Sequence, residues 1–326
     1  MIQIGLDFGG TKIEAAALDA EGNYLMRIRA ANPGQYDAAV SKVCDLVAMV
    51  ERETGQKGTV GIGVPGSISP STGLMRNSNS LYLNGRPFRE DLSSALGREV
   101  RLANDANCFA LSEAVDGAGA GSGVCFGVIL GTGCGGGVVI NGRLIEGKNG
   151  IGGEWGHNPL PWPRDYETPG PDCYCGQSGC LEQFISGTGL QRDYLSATGT
   201  HLSAEDIIVA MRQGHGPAML AFDRLIDRIG RALASVCNII DPDAIVIGGG
   251  LSNVPEILDR VPGIIARHVF SDAWETKIVA ARWGDSSGVR GAARLWENGT
   301  SPSSDTPPLV SGGNLEITLS GEVLNS

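Results

Sequence analysis

Two segments of this chain read alike. Gly5-Leu-Asp-Phe-Gly-Gly-Thr-Lys12 and Val128-Ile-Leu-Gly-Thr-Gly-Cys-Gly135 each run from an apolar strand through a glycine-rich turn into a second strand. The copies begin about 120 residues apart, which suggests two related half-domains. Without a Cβ, glycine lets successive backbone N–H groups turn toward an anion, so each turn is a candidate phosphate-facing hairpin. Glycine accounts for 49 of 326 residues, about twice the ordinary usage of ~7%. No collagen period accompanies it, so the excess serves tight turns and close backbone approach.

Between the hairpins, strands alternate with helices. Strands are expected at 2–7, 13–18, 60–64, 98–103, 124–130, 138–140 and 244–247. Apolar residues at 36, 39, 40, 43, 46, 47 and 50 predict an amphipathic helix over 36–53. Those at 222, 225, 226, 229, 233, 236 and 240 predict a long helix over 219–240. Further helices are expected at 106–115 and 288–296, and at 255–268, where Pro262 should break or kink the segment. Residues 299–326 hold 16 Gly, Ser, Thr or Pro among 28 and no aromatic residue. They read as a disordered tail in which 315–319 could at most add an edge strand.

Charge narrows the function. Lys and Arg number 25 against 36 Asp and Glu, a net charge of −11. Such a chain does not suit a nucleic-acid backbone, and an anionic substrate would need a local site. No apolar run reaches the ~18 residues of a membrane span, and the first residues lack a signal-peptide pattern. A cytoplasmic protein with no membrane partner is expected. Five of the eight cysteines (Cys44, Cys108, Cys125, Cys134 and Cys237) sit among apolar neighbours and read as small core residues.

The other three form the strongest chemical signal. His157, Cys173, Cys175 and Cys180 put three sulfurs and one imidazole within 24 residues. Cys3His is a usual structural zinc set, and four protein ligands leave no position for a catalytic water. Gly170, Gly176 and Gly179 let the loop wrap an ion. Zinc there would draw Glu154 and Glu182 together, and paired carboxylates accept hydrogen bonds from hydroxyls, as a sugar site requires.

The remaining motifs are weaker one by one. Asp7-Phe-Gly-Gly-Thr-Lys12 offers backbone donors with Thr11 and Lys12, and Asp7 could hold a metal ion through water; the Gly-Lys-Ser/Thr order of a Walker A loop is absent. Gly131-Thr-Gly-Cys-Gly-Gly136 matches the dinucleotide fingerprint in letters, but a strand follows where that fold needs a helix. A nicotinamide dehydrogenase is therefore disfavoured. Gly248-Gly-Gly-Leu251 at a strand's carboxyl end lets a flat ring lie against backbone. Asn104-Asp105 stands where a strand gives way to a helix, either as a helix cap or as a base for a substrate hydroxyl.

Together these motifs resemble the ROK family of sugar kinases and repressors, from Ile4 to about Trp296. The resemblance is carried by Asp7-x-Gly-Gly-Thr-Lys12, Leu102-x-Asn-Asp-Ala-Asn107, Gly131-Thr-Gly-x-Gly135, Glu154-Trp-Gly-His157, Cys173-x-Cys-Gly-x-x-Gly-Cys-x-Glu182, Asp241-Pro-Asp243 and Gly248-Gly-Gly-Leu251. It implies an actin-like ATPase (ribonuclease H-like) α/β fold with two domains flanking a cleft. We expect a small domain over 1–115, completed by a helix at about 286–298, and a large domain with the zinc loop over 116–285. The resemblance further implies ATP with Mg²⁺ as phosphoryl donor, Asp105 as catalytic base, and sugar contacts from Asn104, Glu154, His157, Glu182, Gly66 and Asn79. ATP would contact Asp7, Gly9, Gly10, Thr11, Lys12, Gly131, Thr132, Gly133, Gly135, Gly249 and Gly250. His157 would serve zinc and sugar together.

Repressors of the family carry a DNA-binding domain ahead of the Asp-x-Gly-Gly-Thr motif. With that motif starting at Asp7, no nucleic-acid partner is expected. Val64-Pro-Gly-Ser-Ile-Ser-Pro70, Asn77-Ser-Asn79 and Glu154-Trp-Gly-His-Asn-Pro-Leu-Pro161 look most like the bacterial fructokinases with mannokinase activity. N-acetylglucosamine kinases, the alternative with glucokinases, tend to have Phe where Trp155 stands. Tyr174 replaces a glycine common in the family. A homodimer is expected, and a sugar-binding regulator without phosphoryl transfer is the non-enzyme alternative.

Overall fold

A computed structural model describes residues 2–296 of the chain. The tail from 299 and the possible strand at 315–319 lie outside the described residues. In chain order the first half holds β1 (Ile2–Phe8), β2 (Lys12–Leu18), β3 (Tyr24–Ala31), α1 (Tyr36–Thr54), β4 (Gly58–Val64), β5 (Ser67–Ile68), β6 (Met75–Arg76), α2 (Phe88–Leu96), β7 (Val100–Asn104) and α3 (Asp105–Val115). The second holds β8 (Val124–Leu130), β9 (Cys134–Ile140), β10 (Arg143–Leu144), α4 (Glu182–Ile185), α5 (Gly187–Thr198), α6 (Ala204–Arg212), α7 (Gly216–Ile240), β11 (Ala244–Gly248), α8 (Pro255–Ile265), β12 (Lys277–Ala280) and α9 (Ser287–Arg294).

The repeated hairpin seeds two sheets of one topology. Their strand orders are β3-β2-β1-β4-β7 and β10-β9-β8-β11-β12. In each, the hairpin is antiparallel and its first strand is extended by two parallel strands. This doubled α/β sheet is the actin-like ATPase architecture. Ligands of open parallel sheets gather at the strands' carboxyl ends, and here those ends carry Asp7, Gly66 and Asn104 in one sheet and Gly131 and Gly249 in the other.

The glycine excess has a structural use. Helix α9 lies across β1 and β4, where a Cβ on Gly5 or Gly61 would overlap the backbone of Val289 or Ala292. Helix α3 lies across β8 and β9, where a Cβ on Gly127 or Gly137 would come within 2.6 or 2.7 Å of Ala110. The two helices then meet each other at Gly291 and Cys108. Two small-residue helices thus stack between the sheets, close enough that no side chain separates them.

Three differences from the sequence reading stand out. Strand β3 was not anticipated; it is an edge strand whose inward residues Met26, Ile28 and Ala30 are only partly buried and alternate with the exposed Arg27 and Arg29. Helices α2, α5 and α6 are short and carry few buried residues each, which weakens their periodicity. Pro262 does not break α8, which runs on to Ile265. It sits one turn from the end, while Ile257, Val261 and Ile265 anchor the buried face, so packing outweighs the lost N–H.

Candidate active site

The junction of β7 and α3 places Asn104 and Asp105 at the carboxyl end of the first sheet. Asn104 caps α3 by accepting the Ala106 N–H (2.9 Å) and donates from Nδ2 to the Gly66 carbonyl (3.2 Å). These two bonds use one lone pair and one amide hydrogen of Asn104 and leave the others available. Asp105, which is exposed, accepts the same Ala106 N–H through Oδ1 (2.8 Å), and its Oδ2 has no hydrogen-bond partner among the described residues. The surrounding protein strips water from this carboxyl, and the Glu154 charge adds to the effect, so its pKa is raised from the ordinary value. A carboxylate raised this way is a better proton acceptor at neutral pH.

Asp7 sits near the end of β1, paired in register with Glu14 on β2. Burial, then the charges of Asp105 and Glu14, push Asp7 up to about 6 against the pull of Lys12 and Arg29. Glu14 is 3% exposed, and Arg27 and Arg29 on β3 hold it in place. The first glycine turn is braced from outside: Asn32 donates to the Gly9 carbonyl (2.7 Å), and Tyr82 donates to Asn32 (2.8 Å). Gly10, Thr11 and Lys12 are exposed beyond it.

The second glycine turn is braced by the start of α5. Gly187 N–H donates to the Gly131 carbonyl (2.7 Å) and Thr188 Oγ1 to the Thr132 carbonyl (2.8 Å). Gly249 has a φ of +79°, and a Cβ there would come within 2.6 Å of the Leu130 carbonyl. The 131–135 turn and the 248–250 turn therefore share one floor. Glu182 accepts the Cys134 N–H (3.1 Å), which ties the loop of clustered Cys and His residues to the same hairpin. Trp155 is buried, donates to the Gly135 carbonyl (3.0 Å) and meets Phe126 edge-on. It bolts the Glu154–His157 turn to β9 from behind.

His157, Cys173, Cys175 and Cys180 bring one ligand atom each to within 4.8 Å of one another. The Cys173 Sγ–His157 Nδ1 and Cys175 Sγ–Cys180 Sγ separations are both 3.6 Å. Zinc bonds of about 2.0–2.3 Å give a tetrahedron with edges of about 3.5–3.8 Å, so the set fits zinc and is far too open for a disulfide. The backbone N–H of Gln177 is the first of several groups that lower the Cys175 thiol to about 7, whereas burial and the Cys175 sulfur push the Cys180 thiol up to about 12. The other ring nitrogen of His157, Nε2, meets the Tyr174 hydroxyl at 3.0 Å.

Of the residues singled out in the sequence, Asp7, Asn104, Asp105, Glu154, His157 and Glu182 thus come together, with Gly66 against Asn104. Asn79 is exposed on the loop after β6. A cavity of about 280 Å³ opens beside Asn104, with Ser67 and Arg89 on one side and Glu146 and Lys148 on the other. A larger groove of about 870 Å³ lies behind the zinc loop, against α5 and α7. There Glu167 pairs with buried Arg228 and Arg231, and Asp193 with Arg224 and Arg228. These charges satisfy each other and fasten the loop. Sequence reasoning missed Glu14, Asn32 and the Ser186–Thr188 brace. The glycine-rich run Ile185-Ser-Gly-Thr-Gly189 was the available signal for the brace.

A family model described as ROK family matches residues 3–299. An N-acetyl-D-glucosamine kinase of Pectobacterium atrosepticum is 43% identical over 296 residues, covering 89% of this chain and 97% of that protein. Among solved structures, a ROK hexokinase from Thermus thermophilus matches with a TM-score of 0.81 at 32% identity, over 90% of this chain and 97% of that one. A ROK family glucokinase from Streptomyces griseus, in complex with glucose and AMPPNP, matches with a TM-score of 0.71 at 31% identity, over 90% and 99%.

Proposed function

The chain belongs to the ROK family, and on that premise we propose that it is an ATP-dependent hexose kinase whose leading acceptor is the primary hydroxyl of D-fructose, giving fructose 6-phosphate, with mannose as a further acceptor. The observation that carries the reading is Asp105, a carboxylate with Oδ2 unpartnered among the described residues and a raised pKa, near Asp7 and Glu154. In this reading the 9–12 and 131–135 turns hold the ATP phosphates. Gly249 and Gly250 form the surface against which the nucleotide's flat ring lies. Asp7 would hold Mg²⁺ through water, and the ion would supply charge neutralisation on the phosphates. Asp105 accepts the proton of the sugar hydroxyl as its oxygen bonds to the γ-phosphorus and the bond to ADP breaks. Positioning and electrostatics supply most of the rate, and the base about 10²–10⁴-fold.

Asn104, Glu154, Glu182 and His157 hold the remaining sugar hydroxyls, with Gly66 and Asn79 on the small-domain side. His157, Cys173, Cys175 and Cys180 would hold a structural zinc that keeps Glu154 and Glu182 facing each other. Residues 1–115 with the final helix, and residues 116–285, act as two domains that close over the sugar and exclude water. A homodimer is the proposed assembly, testable by light scattering.

The N-acetyl-D-glucosamine kinases among its relatives favour a second acceptor, N-acetyl-D-glucosamine. Trp155, which set the fructokinase resemblance apart, stands behind the site rather than in it. Coupled ADP release with Mg-ATP and fructose, mannose, glucose and N-acetylglucosamine decides between them. The highest kcat/KM on fructose supports the leading acceptor, and the highest on N-acetylglucosamine replaces it. No turnover on any of them in folded, zinc-loaded protein would favour the binding-only regulator.

A further inference from the structure

We infer that Tyr174 is a specificity-determining residue of the acceptor site: its phenol walls off the anomeric end of the sugar and admits a hydroxyl there but not an N-acetyl group. The inference rests on the hexose kinase reading and names the acceptor class more narrowly.

Tyr174 lies between two of the four clustered ligands, Cys173 and Cys175, so its backbone is held wherever that cluster is held. Its side chain is not a core residue, since it is 77% exposed. What positions it is His157. The rings meet edge to face, with centroids 5.2 Å apart and planes at 87°, and the hydroxyl lies 3.0 Å from Nε2. Nδ1 of the same imidazole faces Cys173, so Nε2 is the nitrogen left for a sugar, and Tyr174 stands over it.

In the proposed placement, with the primary hydroxyl on Asp105 and the other hydroxyls on His157, Glu154 and Glu182, the anomeric end of the hexose would lie on the side of the last three. An N-acetyl group beside the anomeric carbon replaces a single hydroxyl oxygen with an amide and a methyl. That bulk meets the Tyr174 ring, whereas a hydroxyl can share the His157–Tyr174 hydrogen bond.

The test compares wild type, Tyr174→Gly and Tyr174→Phe as full-length, zinc-replete protein. It measures kcat and KM for fructose, mannose and N-acetylglucosamine, sugar affinity by calorimetry, and zinc per chain. Removing one steric contact from a pocket shifts discrimination by about 10–200-fold. Tyr174→Gly is expected to raise kcat/KM for N-acetylglucosamine relative to fructose by at least about tenfold, through KM and affinity, with zinc retained. Tyr174→Phe keeps the ring and should keep the exclusion while weakening fructose binding. Should Tyr174→Gly shed zinc, Tyr174→Ala takes its place with the same ratio read. A zinc-loaded variant whose ratio stays at the wild-type value overturns the inference and leaves the kinase reading intact. So does a wild type that prefers N-acetylglucosamine. A wild type inactive on every sugar overturns both.

Discussion

Asp105 and Asp7 are carboxylates kept in surroundings that disfavour their charge, and each makes a separate prediction. Asp105→Asn keeps the shape and the cap on α3 but removes the proton acceptor. Its kcat should fall by about 10²–10⁴-fold while sugar affinity changes little; normal turnover would remove Asp105 from the base role. In wild type, the acid limb of kcat/KM should lie above the ordinary carboxylate range, because the folded pKa is raised. Asp7 adds a pH dependence of stability. Its folded pKa, about 6, exceeds the unfolded value of about 3.9. The native state therefore holds the proton more tightly, and stability present below about pH 4 is lost as pH rises through 6. Melts of wild type and Asp7→Asn should differ little at pH 4. At pH 8 they should diverge in favour of the variant, by at most about 3 kcal/mol. An unchanged difference across that range would mean that Asp7 is not strained by burial.

At the scale of elements, the Cys3His loop and the helix seats matter most. The Glu154–His157 turn and the segment leading to Glu182 are short of regular structure, so the four-ligand cluster is what joins them. Cys175→Ala should lose about one zinc per chain by elemental analysis, lower the melting temperature and raise KM for sugar more than it lowers kcat. Full sugar affinity in metal-free wild type would count against that role. The helix seats depend on missing side chains. Gly61→Val would drive a branched side chain into the backbone of α9, where no flexible atom can yield. It should destabilise by about 1–3 kcal/mol or more in chemical denaturation, whereas a substitution at Gly10, where a Cβ meets nothing within 4 Å, should not.

Across the whole molecule, the two halves are joined by the ends of α3 and α9, and Glu113 ties those ends together. This fully buried carboxylate accepts four hydrogen bonds: from the backbone N–H groups of Ala118, Arg282 and Trp283, and from the Ser287 hydroxyl. Asp116 adds the Trp283 indole, Arg290 and Arg294. Both chain crossings between the halves therefore meet at one polar knot. Glu113→Gln replaces an acceptor with a donor facing donors, so it should cost about 1–3 kcal/mol for each group left unpaired. Equilibrium unfolding should register that loss, and a variant as stable as wild type would show that the crossings are held elsewhere.

Much of this was legible in the sequence, and the reason is local. A glycine turn between apolar strands, a Cys3His set within one loop, and an Asn-Asp pair at a strand end each write their chemistry into neighbouring residues. Two matching hairpins in one chain already implied two matching sheets. What only the tertiary structure decided depends on residues far apart in the chain. Glu14 is held by the edge strand β3 and lies against Asp7 through the pairing of β1 with β2. Asn32 and Gly187 brace turns they do not adjoin. Arg228 and Arg231, which look like surface charges on α7, are buried because Glu167 reaches them from the zinc loop. Tyr174 reads as a plain loop aromatic until folding places its hydroxyl on His157. A pairwise contact across tens or hundreds of residues leaves no periodicity in either partner, so only the packed chain reveals it.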